Sequence, residues 1–83
     1  MNERTESIMQ EIRQLGINAV GCKKKEYAHR VCYTIFLDEQ TDNETILQKA
    51  RNAGFNLVFN FLQDYGYKYR HGANKLLCIS EAK

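Results

Sequence analysis

The sequence predicts an α+β domain built from two αββ units, with two helices on one face of a four-stranded, mostly antiparallel sheet. Three observations lead to this prediction. Residues 6–22 and 44–60 repeat one another at an offset of 38 without a gap. Each copy begins with an apolar stripe of helical period and ends in a strand-like segment. A repeat with only two copies indicates a duplicated small domain rather than a solenoid.

Seven positions are identical between the two copies. The identical pairs are Glu6 and Glu44, Ile8 and Ile46, Gln10 and Gln48, Arg13 and Arg51, Gly16 and Gly54, Asn18 and Asn56, and Val20 and Val58. The chain has 83 residues, of which 43% are hydrophobic and 27% charged, an ordinary composition for one small globular domain. We therefore expect a single domain over residues 1–83, made of repeats at about 5–40 and 43–81.

The first helix is expected to run from about Asn2 or Thr5 to Leu15. Apolar residues at helical spacing form one stripe along it: Ile8, Met9, Ile12 and Leu15. Gly16 follows this stripe, and glycine is the residue that most easily adopts the left-handed conformation found after a helix C-terminus. The sequence therefore signals both the buried face of this helix and its end.

The second helix begins after Thr41 or Asp42, since either side chain can cap its first turn. Its stripe repeats that of the first helix: Ile46, Leu47, Ala50 and Ala53. The segment after this stripe is ambiguous, because it can continue the helix to Tyr65 or form a strand over residues 55–62. The repeat favours the strand, since Gly54 matches the glycine that ends the first helix.

Four strands are predicted, and they form two hairpins. They cover residues 17–23, 30–37, 55–62 and 75–80. Alternation sorts their side chains between the two faces of the sheet. The residues expected to face the helices are Ile17, Ala19, Phe55, Leu57, Phe59 and Phe61. The residues expected on the open face are Asn18, Val20, Asn56, Val58 and Asn60. This half-polar open face is also a candidate surface for a homodimer.

Positive charge is concentrated in the two regions that contain the hairpin connections. Residues 22–32 and 63–75 hold seven of the 12 Lys and Arg residues, but only two of the 10 Asp and Glu residues. Tyrosines and both histidines lie among these cations. Since cations neutralise phosphates and aromatic rings stack on unpaired bases, the combination indicates a surface for nucleic acid, RNA or DNA. The candidate contact residues are Lys23, Lys24, Lys25, Tyr27, Arg30, Lys68, Tyr69, Arg70, His71 and Lys75.

We favour the interpretation that this is a non-enzymatic binding or regulatory protein that contacts nucleic acid. Three other interpretations stay open. The lysines can be solvated side chains that protect the sheet edges. The surface can bind an acidic protein partner, as in small phage or mobile-element proteins that inhibit host complexes such as nucleic-acid-processing defence machinery. The segment Tyr67–His71 contains groups that a metal-independent ribonuclease could use, although no motif places an acid/base pair.

The remaining predictions concern the cysteines, metal and cofactor sites, and membrane spans. Cys22, Cys32 and Cys78 are widely spaced in a chain without a secretory signal, which indicates free thiols and a cytoplasmic protein. Their spacing with His29 and His71 does not match a zinc site, so no metal is expected. No cofactor-binding motif is present, and no apolar run is long enough to cross a membrane.

Overall fold

A computed structural model describes residues 3–83, which form an α+β fold with two helices and an antiparallel sheet of five strands. The elements are α1 (Glu3–Gln14), β1 (Ala19–Glu26), β2 (Arg30–Leu37), α2 (Asn43–Asn52), β3 (Asn56–Leu57), β4 (Gln63–Asp64) and β5 (Lys75–Ala82). The strands lie in the order β1-β2-β5-β3, and β4 also pairs with β5. The predicted fold class and antiparallel sheet are confirmed, whereas the prediction of four strands is wrong.

The helix ends follow the capping signals in the sequence. Asp42 is the N-cap of α2, because its Oδ2 accepts a hydrogen bond of 3.0 Å from the backbone N–H of Thr45. After α1, Gly16 has a φ of 83° and its N–H donates to the carbonyl of Arg13 over 2.9 Å. The expected start of α1 at Asn2 lies outside the described residues. Neither helix of the described chain has the length and apolar character needed to cross a membrane.

β1 runs further than predicted and includes the whole lysine run. Its pairing with β2 continues to Glu26, and Lys23 lies opposite Thr34. The connection between the two strands is therefore reduced to residues 27–29. Lysine is a poor strand former, but β1 lies at the edge of the sheet, where charged side chains are common.

The predicted third strand is divided into two short strands, β3 and β4. β3 ends opposite Ile79 and β4 begins opposite Leu76. Only two residues of β5 lie between these partners, whereas the chain between β3 and β4 has five residues, 58–62. The surplus residues cannot all pair, so this segment leaves the sheet as a loop. The alternative of a continued helix is wrong, since α2 ends at Asn52.

The loop exposes two aromatic side chains that the sequence assigned to the core. Phe59 is 49% exposed and Phe61 is 57% exposed, so the prediction that they face the helices is wrong. The two rings pack on each other instead, with their centroids 5.2 Å apart. Leu62 is the buried residue of this segment and joins the hydrophobic core. Alternation failed here because the strand is interrupted.

The hydrophobic core joins residues of both helices to alternate residues of the sheet. Its buried members are Ile8, Ile12, Ile17, Ala19, Tyr33, Ile35, Leu37, Ile46, Leu47, Ala50, Leu62, Leu77 and Ile79. Five of these, Tyr33, Ile35, Leu37, Leu77 and Ile79, alternate along the two central strands and define the core face of the sheet. The residues between them point the other way and define the outer face. Ile17 and Ala19 are buried as predicted, while Phe55 and Leu57 are partly buried against the core.

Candidate functional site

The outer face of the sheet carries cations and no carboxylate along the described strands. The strand registers place on it Gly21, Lys23 and Lys25 of β1, Arg30, Cys32, Thr34 and Phe36 of β2, Asn56 of β3, Gln63 of β4, and Leu76, Cys78, Ser80 and Ala82 of β5. Lys23, Lys25 and Arg30 are all exposed. This face is therefore a positively charged surface.

The carboxylates of the sheet occupy the opposite register positions and are neutralised there. Glu26 pairs with Lys24 over 3.3 Å, and Asp64 lies 3.8 Å from the ammonium of Lys75. The third carboxylate, Glu81, accepts hydrogen bonds from the guanidinium of α1's Arg4. Charge is thus sorted between the two faces of the sheet, which concentrates unpaired positive charge on the outer face.

Strand alternation divides the lysine triplet. Lys23 and Lys25 lie on the outer face, whereas Lys24 lies on the core face. The side chain of Lys24 is only 29% exposed and is engaged with Glu26. Two of the three predicted lysine contacts therefore share one surface, and the third lies on the other side of the strand.

The tip of the first hairpin adds an aromatic ring to the cations of the outer face. The N–H of Tyr27 donates to the carbonyl of Arg30 over 2.8 Å, which places the two residues opposite each other. The Lys25 ammonium lies 5.6 Å from the centroid of the Tyr27 ring, which is 47% exposed. Tyr27, Lys25 and Arg30 therefore form one cluster at this end of the outer face.

The second hairpin connection folds over the opposite end of the outer face. The His71 ring packs edge-on against Phe36, with a centroid distance of 4.7 Å. Its Cγ lies 3.8 Å from the position of a Cβ built on Gly21. Lys23 follows Gly21 by two residues on the same face, a distance of roughly 7 Å. The structure thus brings His71 of one basic region next to Lys23 of the other.

The rest of this connection presents stacked aromatic rings and a further cation. The rings of Tyr65 and Tyr69 stack with centroids 4.4 Å apart, and the Arg70 guanidinium lies 5.4 Å from the Tyr69 centroid. Two backbone hydrogen bonds stabilise the turn, from Tyr69 N to the Ala73 carbonyl and from Ala73 N to the Arg70 carbonyl. Tyr69 and Arg70 are both exposed, as a surface contact requires.

Two predicted contact residues are engaged within the chain. Lys75 is only 5% exposed, and its Nζ donates to the carbonyl of Thr41 over 2.6 Å. Its ammonium therefore stabilises the loop before α2 and is removed from the candidate surface. Lys68 is exposed, but its Nζ lies 3.1 Å from a carboxylate oxygen of Asp38. The carboxylate of Asp38 therefore offsets the positive charge that Lys68 brings to the second hairpin connection.

The groups required for catalysis or metal binding are dispersed. His29 lies beside the start of β2 and His71 packs on Phe36 near its end, roughly 20 Å along the strand. No group of three His, Cys, Asp or Glu side chains in residues 3–83 is arranged to hold a metal ion. The three cysteines are free, and burial raises the pKa of the Cys22 thiol to about 11. Burial also raises the pKa of Cys78, so neither thiol is activated.

The sequence reasoning expected Asn56 on the open face, but it did not assign Gly21 or Ser80 to it. Gly21 and Phe36 receive the His71 ring, and Asn56 and Ser80 lie opposite each other across β3 and β5. The sequence did contain a signal for these positions, namely the alternation of successive side chains between the two faces of a strand. If strand alternation is continued through the lysine run, it separates Lys24 from its two neighbours.

Comparisons of the chain with protein-family models, with curated proteins and with solved structures found no match. Its function is therefore inferred from its own side chains and their geometry.

Proposed function

We propose that the protein binds single-stranded nucleic acid, RNA or DNA, on the outer face of its sheet, and that it acts as a small non-enzymatic regulator in the cytoplasm. One observation carries the proposal. Lys23, Lys25 and Arg30 are exposed on one face whose strand positions include no carboxylate. Such a surface attracts a phosphate backbone without competition from acidic groups.

The aromatic rings at both ends of the face favour a single strand over a duplex. Tyr27 and Tyr69 are each 47% exposed, and each has a cation close to its ring. Exposed tyrosines can stack on bases only where those bases are not enclosed in a double helix. The cations between the tyrosines would follow the backbone, so the two kinds of contact suit the same flexible strand.

Fluorescence anisotropy tests this proposal. A labelled single strand of about 20 nucleotides and the corresponding duplex would be titrated with the protein at several salt concentrations. Each neutralised phosphate of a single strand contributes about −0.7 to the slope of log binding constant against log salt, so the three outer-face cations predict a slope of about −2 or steeper. Single-strand affinity should exceed duplex affinity. An absence of binding even at low salt would contradict the proposal.

A second candidate function is the binding of a protein partner, including inhibition of a larger complex. The specific observation in its favour is the exposed Phe59–Phe61 pair, because large exposed apolar rings are typical of interaction surfaces. The two candidates differ in their response to substitution. Phe59→Ala with Phe61→Ala should leave strand affinity unchanged, whereas it should abolish affinity for a partner that docks on these rings. An acidic partner steered by the lysines would show salt dependence mainly in its association rate.

We also infer that the fold arose by duplication of an αββ unit whose two helices pack on the core face. The residues after each helix support this inference. Gly16 and Gly54, separated by the repeat offset, have φ values of 83° and 94°. Gly54 N donates to the Arg51 carbonyl over 3.0 Å, which matches the bond from Gly16 to Arg13. Ile8 and Ile12 of α1 also belong to one hydrophobic cluster with Ile46, Leu47 and Ala50 of α2.

A further inference from the structure

A pocket of about 340 Å³ opens beside the end of β5, on the outer face. Its floor is formed by Ser80 and Ala82, whose side chains are small. Arg30 of β2 stands on one side of this floor and Asn56 of β3 on the other, because both strands pair with β5. Neighbouring strands are about 4.8 Å apart, so the two walls are separated by roughly 10 Å. The pocket is thus a short trough across β5.

The polar groups that line the trough are available to a ligand. In the described chain, no hydrogen bond or ion pair is formed by the side chains of His29, Arg30, Asn56 or Ser80. A ligand can therefore bind these groups without breaking a bond within the protein. Glu81 also borders the trough, but its register position lies on the core face and its carboxylate is compensated by Arg4. The site consequently offers a guanidinium and an imidazole on one side, an amide on the other and a hydroxyl at the floor.

We propose that this trough holds one unstacked nucleotide of the bound strand and contacts an adenine there through its N6 and N7 edge. The proposal rests on the proposed function and names a subsite of that surface. Arg30 and His29 would contact the phosphate, and the planar guanidinium can also stack on the base. The amide of Asn56 offers a donor and an acceptor side by side, the arrangement that reads the N6 and N7 edge of adenine. Ser80 supplies a further hydroxyl at the floor.

The test compares two amides of the outer face. Asn56→Ala removes the amide in the trough, whereas Gln63→Ala removes an exposed amide of β4, outside the residues that line it. Anisotropy titrations would use labelled single strands of adenine nucleotides or of 7-deazaadenine nucleotides, which lack the N7 acceptor. The unmodified protein should bind the adenine strand more tightly than the 7-deazaadenine strand by about fivefold or more, as expected for one paired amide contact. Asn56→Ala should remove this preference, and Gln63→Ala should preserve it.

The remaining outcomes separate this subsite from the proposed function. If the strands bind but Asn56→Ala has the same base preference as the unmodified protein, the subsite is overturned and the binding surface stands. If Gln63→Ala loses the preference as fully as Asn56→Ala, the trough is not the place where bases are read. If no strand binds at low salt, the proposed function fails, and the nucleotide subsite fails with it.

Discussion

The imidazole of His71 packs edge-on against the ring of Phe36, with 4.7 Å between the ring centroids. Phe36 points to the outer face of the sheet, and yet it is only 6% exposed. His71 has a left-handed backbone conformation, with a φ of 56°, which turns the chain back over the sheet. This contact therefore attaches the second basic region to the face that carries the lysines.

Loss of the His71 ring should destabilise the protein modestly. An edge-to-face aromatic contact contributes about 0.5–1.5 kcal/mol beyond the area that it buries, so His71→Ala should lower the free energy of unfolding by at least that amount. Urea denaturation measures the change. His29→Ala is the control, because His29 is exposed, makes no ring contact in the described chain and should change stability by less than about 0.5 kcal/mol. Equal losses in the two variants would show that His71 does not hold the loop on Phe36.

The two glycines after the helices should be sensitive to substitution for a backbone reason alone. A Cβ at Gly54 would have no neighbour within 4 Å, and one at Gly16 would lie 3.8 Å from the Lys49 Nζ. Both residues have positive φ, which costs an L-residue about 1–2 kcal/mol. Gly16→Ala and Gly54→Ala should therefore each destabilise by about 1 kcal/mol or more in urea denaturation.

The matched control for these glycines is Gly21→Ala. Gly21 has no positive φ, and its Cβ would make an ordinary contact of 3.4 Å with the Phe36 ring. We expect this variant to change stability by less than about 0.5 kcal/mol. If Gly16→Ala or Gly54→Ala were as stable as Gly21→Ala, that result would contradict the left-handed backbone conformation assigned to the glycine at that position.

The sequence was sufficient for the parts of the fold that local physics decides. The apolar stripes and the caps at Asp42 and Gly16 placed both helices within about two residues of their ends. β2 was predicted with its observed bounds, Arg30–Leu37, because this segment is rich in β-branched and aromatic residues. These features depend on neighbouring residues only, so they can be recognised without knowledge of the partners.

The errors came from features that depend on pairing between distant segments. Phe59 and Phe61 alternate as in a strand, but the register of β3 and β4 on β5 leaves no partners for them. Likewise, the separation of Lys24 from Lys23 requires the knowledge that β1 continues through the lysine run. The buried position of Lys75 depends on Thr41 and Asp64, which are remote in the sequence. None of these three features can be derived from the composition of the chain or from the local periodicity of its sequence.

Exposure of Phe59 predicts a small effect of its removal. Phe59→Ala should lower the free energy of unfolding by about 1 kcal/mol or less, since the ring contacts mainly Phe61. Leu77→Ala is the comparison, because Leu77 is 1% exposed and its truncation should cost about 2–5 kcal/mol. Thermal and urea denaturation of both variants measure the difference. A loss of several kcal/mol in Phe59→Ala would place its ring in the core and restore a continuous third strand.

The ion pair between Arg4 and Glu81 predicts a stability change in acid. Hydrogen bonds from Arg4 hold the pKa of Glu81 below its ordinary value of 4.5. Because this pKa is lowered in the folded state, the stabilisation is present above about pH 4.5 and is lost as the pH falls through the lower folded value. Both side chains are more than a third exposed, so solvent screening limits the contribution to about 1 kcal/mol or less.

Glu81→Gln tests this linkage. The variant should be less stable than the unmodified protein at about pH 7, and the difference should shrink as the pH falls to about 3. Urea midpoints measured across this range give the comparison, with Glu44→Gln as a control that removes an exposed carboxylate of α2. A difference that stays constant with pH would mean that the charge of Glu81 does not stabilise the fold.

The most direct test of the outer face as a nucleic-acid surface compares Lys25→Gln with Lys24→Gln. The two substitutions remove one charge each from adjacent residues of β1, but only Lys25 lies on the outer face. In anisotropy titrations with a single strand, Lys25→Gln should weaken binding and reduce the slope of log binding constant against log salt by about 0.7. Lys24→Gln should leave both quantities unchanged. Equal effects of the two substitutions, or no effect of either, would contradict binding on this face.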